Sequence, residues 1–130
     1  MKIWVNGCFD ILHRGHFELF NYAKSLGDFL VVGIDSDEKV AQDKGPNRPY
    51  NTLEDRHYAL ESLKAIDKIY VFDSNDHLEW LIQKEQPNIL VVGSDWKGKP
   101  IVGGQYAKEI IYFNRIGNYS TTNILNNESK

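Results

Sequence analysis

KIWVNGCFDILHRGHFELFNYAKSL, residues 2–26, changes its hydrophobic period part-way along. It opens on KIWV, a short apolar run of the kind that forms a strand. From His16 onward, Phe17, Phe20, Ala23 and Leu26 recur at helical spacing on one face. Between the two, a turn at Gly7 carries the chain out of the strand, and the helix is expected to begin near Gly15–His16. Strand, turn and helix in that order make the repeating unit of a parallel α/β sheet.

The rest of the chain repeats the unit. Further apolar runs are FLVVGI (29–34), KIYVF (68–72), NILVVG (88–93) and EIIYF (109–113). FLVVGI and NILVVG are almost continuously aliphatic, as expected of strands covered on both faces. TLEDRHYALESLKAI (52–66) sets Leu53, His57, Leu60 and Leu63 on one helical face, with Thr52 as N-cap and Asp55 in the first turn. DHLEWLIQKEQ (76–86) is a third helical stretch, stopped by Pro87. The expected fold is therefore α/β: a doubly wound sheet of about five parallel strands with helices on both faces, over residues 1–130 as a single domain.

Composition narrows the function. A net charge of −3 lacks the basic excess of a nucleic-acid protein, and no apolar run approaches the roughly 18 residues of a membrane span. A single cysteine excludes an intrachain disulfide framework, and MKIWVNGCFD has no apolar signal-peptide core. A cytoplasmic location is expected. The polar stretches DKGPNRPYN (43–51) and SDWKGKPIVGGQ (94–105) read as loops. Like NGCFDILHRGH, they leave carboxyl ends of strands, where open parallel sheets bind ligands, so the three should converge on one crevice.

CFDILHRGHFELF, residues 8–20, leaves three readings open. His13 and His16 at i, i+3 with Cys8 suggest a metal, but zinc takes three or four protein ligands, and His57 and His77 lie in other helical segments. A Cys8 thiolate would need an adjacent base and an orienting group. The third reading is a phosphate site: helix-start amides carry partial positive charge, Gly15 lets an anion approach, and the imidazoles donate hydrogen bonds.

NGCFDILHRGH, with its HRGH, resembles the opening signature of the cytidylyltransferase-like (HxGH) nucleotidyltransferases, and STT in RIGNYSTTNIL (115–125) resembles their second signature. The resemblance spans residues 3 to about 125 and implies their Rossmann-like fold. It implies that His13 and His16, with Lys44, are catalytic. Gly7, Cys8, Phe9, Gly15, Asp95, Arg115, Ser120, Thr121 and Thr122 would hold the nucleotide, and Asp10, Arg48 and Arg56 the acceptor phosphate. It implies as partners a nucleoside triphosphate bringing its own Mg²⁺ and a small phosphorylated sugar or alcohol, together with a homodimer. No protein-ligated metal is expected.

Two branches are similar. The heptose 1-phosphate adenylyltransferases share NGCFDILHRGH, KGPNRPYNTLEDR and IVGGQYAKEIIYF…STTNIL; the glycerol-3-phosphate cytidylyltransferases share GSDWKGK and the position of Arg115. The cytidylyltransferase pattern ahead of STT is Arg-Thr-Glu-Gly-Ile, where this chain has RIGNY. The longer loop match favours transfer from ATP to a heptose 1-phosphate. The alternatives are the CTP-dependent glycerol 3-phosphate reaction and, in another class, a non-catalytic nucleotide sensor.

Overall fold

The computed structural model describes residues 1–114. The elements run β1 (Lys2–Gly7), α1 (Arg14–Ser25), β2 (Phe29–Asp35), α2 (Asp37–Lys44), α3 (Leu53–Glu61), β3 (Lys68–Phe72), α4 (Asn75–Glu85), β4 (Ile89–Gly93) and β5 (Glu109–Phe113). The strands form one parallel sheet in the order β3-β2-β1-β4-β5. The expected doubly wound fold is the observed one.

Pleat alternation divides the core in two. Ile3, Val5, Leu30, Val32 and Ile34 project to one face and pack against Phe20 and Ala23 of α1 and Leu60 of α3. Trp4, Val31 and Leu90 project to the other, against Leu78, Leu81 and Ile82 of α4. Burying each such aliphatic side chain contributes about 1.5–3 kcal/mol, so neither face is stable without its helices. Gly33 makes room for the fully buried indole of Trp4, since a Cβ there would stand 2.8 Å from Trp4 Cζ2.

The structure departs from expectation in two elements. α2 was not expected: within DEKVAQDK only Val40 and Ala41 are apolar, too few to show a period, and the helix starts instead from the Ser36 hydroxyl, which accepts from Lys39 N at 3.2 Å. The helix predicted over 52–66 ends at Glu61, although Leu63 and Ile66 still pack on the core from the turn that follows. His57 is not a core residue; it pairs with Glu61 at 2.9 Å.

Candidate active site

β1 is the switch point of the sheet, with β2 on one side and β4 on the other. β1 and β4 pair only at Ile3–Ile89 and Trp4–Leu90, then part, while β1 continues to Gly7 and β4 to Gly93. A cavity of about 720 Å³ opens at the carboxyl ends, where Gly7, Cys8, Asp35, Phe72 and Gly93 line it. Burial pushes the Cys8 thiol up, with Lys44 and Arg56 opposing, so it stays protonated at neutral pH and serves as wall.

His13 is the N-cap of α1, which begins at Arg14, one residue ahead of the expected start. Its Nδ1 accepts from Gly15 N at 3.1 Å, and His16 Nδ1 accepts from His13 N at 3.3 Å. The two imidazoles close a reciprocal capping box and stack at 3.9 Å. Because each Nδ1 is an acceptor, the neutral rings carry their proton on Nε2, one fixed N–H apiece. Burial, then the adjoining His13 imidazole and the charge of Lys44, hold the His16 pKa down to about 4, so this ring is neutral at physiological pH.

Phe9 holds His16 in place. Its ring meets His16 edge-on at 5.5 Å and Phe20 at 5.0 Å. The turn puts Phe9 at φ +49°, a left-handed conformation that bulky residues rarely adopt. Phe9 is thus a buttress beneath the site, while Gly7 and Cys8 line the cavity.

Lys44 is the last residue of α2 rather than part of a loop, and its charge reaches His16, Cys8 and Asp35. The chain leaves the helix through Gly45 at φ +106°, which only glycine takes readily. The segment that follows contains a cis Arg48–Pro49 bond and is stapled by Asp10. This carboxylate, 3% exposed, accepts from Tyr50 N and Asn51 N at 2.7 Å each and from Arg48 Nε at 3.3 Å.

Asp10 and Arg56 therefore sit differently from the expected acceptor contacts, since their bonds go to this chain. The Arg56 guanidinium, 1% exposed, donates to the carbonyls of Cys8, Asp35 and Asn51 and to Asp37 Oδ1 at 2.7–3.1 Å. Arg48 keeps a buried Nη2 with no hydrogen-bond partner among the described residues. Asp95 lies in the 3₁₀ turn Ser94–Trp96, exposed and folded back over Gly93, and its neighbour Trp96 lines the cavity. Arg115, Ser120, Thr121 and Thr122 lie outside the described residues. Among the described residues no group of three or more His, Cys, Asp or Glu is placed to hold a metal ion, and no helix is long and apolar enough to cross a membrane.

The profile of one protein family, described as Cytidylyltransferase-like, matches residues 4–126. The chain belongs to that family. It is 44% identical over 124 residues to the "Bifunctional protein HldE" of Campylobacter fetus subsp. fetus, covering 95% of this chain and 27% of that protein. To the "Bifunctional protein HldE" of a Nitratiruptor species it is 46% identical over 123 residues, covering 95% and 26%. The chain thus spans about a quarter of the length of these curated relatives. Among solved structures it is similar to the lipopolysaccharide core biosynthesis protein of Thermoplasma volcanium, with a TM-score of 0.70 and 25% identity, covering 92% of this chain and 98% of that one.

Of the residues the family resemblance singles out, Gly7, Cys8 and Lys44 line the cavity while His13, Gly15 and His16 stand outside its lining, and the motifs say nothing of its other wall. Asp35, Lys39 and Asn75 line that wall and were missed. Asp35 had only the signal of a carboxylate closing an otherwise apolar strand; Lys39 in a polar helix had none, because lysine ordinarily reads as surface.

Proposed function

We propose that this domain transfers a nucleotidyl group from a nucleoside triphosphate to the phosphate of a small sugar or polyol, releasing pyrophosphate. The observation that carries the reading is the pair of stacked imidazoles at the amino end of α1, their Nδ1 atoms taken up by the helix cap, with the Lys44 charge reaching His16. An acceptor phosphate oxygen attacks the α-phosphorus in line, and the bond from that phosphorus to the bridging oxygen of the β-phosphate breaks. The attacking phosphate is already ionised at neutral pH, so no strong general base is required; positioning and charge stabilisation supply the rate. His13 and His16 donate to the crowded α-phosphate and the departing pyrophosphate, with Lys44 bridging the two substrates. Gly15 and the α1 amides seat the phosphates, and Arg115 and Ser120–Thr122 hold the triphosphate tail. Mg²⁺ enters with the nucleotide as part of the substrate. Trp96 and Asp95 face the nucleoside across Gly93. Arg48 is the cation for the acceptor phosphate, its buried Nη2 having no hydrogen-bond partner among the described residues. Arg56 and Asp10 hold the frame.

ATP and a heptose 1-phosphate are the favoured pair, supported by the KGPNRPYNTLEDR loop beside the cavity and by the likeness to the two HldE proteins. A cytoplasmic homodimer completes the proposal. The test is pyrophosphate release in a matrix of ATP, CTP, GTP and UTP against heptose 1-phosphate, other sugar phosphates, glycerol 3-phosphate and phosphocholine. Turnover confined to ATP with a sugar 1-phosphate is expected. Release only with CTP and glycerol 3-phosphate would move the assignment to the other branch, and none with any pair would sink it.

A further inference from the structure

The wall of the cavity built from the ends of β2 and β3 is a charged cluster that the transfer chemistry does not use. Asp35, the last residue of β2, sits in register with Phe72 of β3. Lys39, in the first turn of α2, places its ammonium 2.6 Å from Asp43 Oδ2, 3.6 Å from Asp35 Oδ2 and 5.6 Å from the centre of the Phe72 ring. The Lys39 and Asp35 side chains are 10% and 13% exposed, and all four residues line the cavity together with Asn75 and Leu78.

The hydrogen bonding of this wall is unfinished. Lys39 donates to Asp43 at 2.6 Å and pairs with Asp35 at the longer distance of 3.6 Å, and among the described residues no other side-chain or backbone donor reaches the Asp35 carboxylate. An ionised carboxylate offers about four acceptor sites, and one long ion pair leaves most of those of Asp35 open toward the cavity. Burial pushes the Asp35 carboxyl up while Lys39 opposes, as expected of a charge whose stabilising partners are incomplete. A ligand in the cavity would supply what is missing. Phosphate is the wrong chemistry, because it would meet Asp35 and Asp43 as like charges. A cationic group is disfavoured too, since the Lys39 ammonium already occupies the space between the carboxylates. Hydroxyl groups fit: they donate to Asp35, exchange hydrogen bonds with Asn75, and leave carbon to lie on Phe72 and Leu78.

This wall lies on the β2 side of β1, whereas Gly93 and Trp96 lie on the β4 side, so a nucleoside at the switch point leaves it to the second substrate. We propose that Asp35, held by Lys39 and flanked by Asn75, reads the hydroxyl groups of the acceptor, which makes the acceptor a polyhydroxylated phosphate ester. The proposal rests on the reading of His13, His16 and Lys44 as the site of phosphate transfer and adds the part of the protein that chooses what carries the phosphate.

Calorimetric titration of the full chain, saturated with a non-hydrolysable triphosphate, tests it without turnover. Mannose 1-phosphate, ethyl phosphate and phosphocholine serve as probes for the wild type, Asp35→Asn and Asn75→Ala, each checked by thermal melting. Wild type should bind mannose 1-phosphate at least tenfold more tightly than ethyl phosphate, the scale of one or two hydrogen bonds to a charged group. Asp35→Asn should shrink that preference to under threefold, and Asn75→Ala should reduce it in the same direction. Equal wild-type affinities, no binding of mannose 1-phosphate, or tighter binding of phosphocholine overturns the proposal. So does a folded Asp35→Asn that keeps its preference, or, should that variant not fold, an Asn75→Ala that keeps it. Absent pyrophosphate release with intact, Asp35-dependent sugar binding would instead count against the transfer reaction alone.

Discussion

His16 does two jobs at one atom's remove, and they can be separated. Its Nδ1 completes the capping box of α1, and in the proposed transfer its Nε2–H serves the phosphates. Alanine would lose both, and the cap alone is worth about 1 kcal/mol. Glutamine at the same helix position is a favoured capping-box partner, so His16→Gln should keep the melting temperature within about 3 °C of wild type and lower kcat at least a hundredfold. A variant retaining kcat would end the catalytic assignment. The ring also links stability to pH. With its folded pKa at about 4 against 6.5 unfolded, the unfolded chain binds the extra proton between those values. Stability from this residue is therefore complete above pH 6.5 and falls away toward pH 4, by roughly 3 kcal/mol at most. Urea midpoints for wild type should decline over that window, and His16→Gln should decline less. In the sequence, HRGH was readable as a phosphate motif. That the His16 ring is neutral, and that both Nδ1 atoms are taken up by the helix cap, was not, because both facts depend on where α1 begins and what buries it.

At the scale of the element, α2 and the 45–51 segment form the arm that brings Lys44 to the site, and two buried charges from elsewhere hold the arm. Arg56 is the stronger brace, joining the ends of β1 and β2, the start of α2 and the 45–51 segment. Arg56→Met leaves three carbonyls without a donor and should cost about 3–5 kcal/mol in urea unfolding. Near-wild-type stability with lost acceptor affinity would return Arg56 to the substrate-binding role first expected of it. Little of this arm was legible. The glycine and prolines of 43–51 signalled a loop correctly from Gly45 onward, but the staple comes from Asp10, some 40 residues away in sequence, and the helix ahead of the loop is too polar to show a period. Local pattern reports local structure; a loop pinned from a distance looks like any other loop.

Over the whole molecule, the parallel sheet and its two helical layers were legible because FLVVGI and NILVVG have no polar face. Strand order was not, yet the order makes the crevice. β1 and β4 are joined at their amino ends, where Asn88 N donates to Lys2 O and Lys2 N to Asn88 Oδ1, both at 2.8 Å, and where Lys2 pairs with Glu85 at 3.2 Å. Beyond Trp4 they part. Mechanically this is a pair of tweezers, pivoted at the far end of the sheet, with the cavity between the tips and, in the proposed reaction, the nucleotide in it. Five residues of strand make a lever of about 17 Å, so a rotation of about four degrees moves a tip by roughly 1 Å, the scale of misplacement that costs a transfer reaction about a hundredfold. Asn88→Ala, which touches no part of the cavity, should therefore lower kcat/KM about tenfold while costing only about 1 kcal/mol of stability. Unchanged kcat/KM would reduce Asn88 to a strand staple. A pivot opposite the active site would give this small domain a control point in the one place where its substrates never reach.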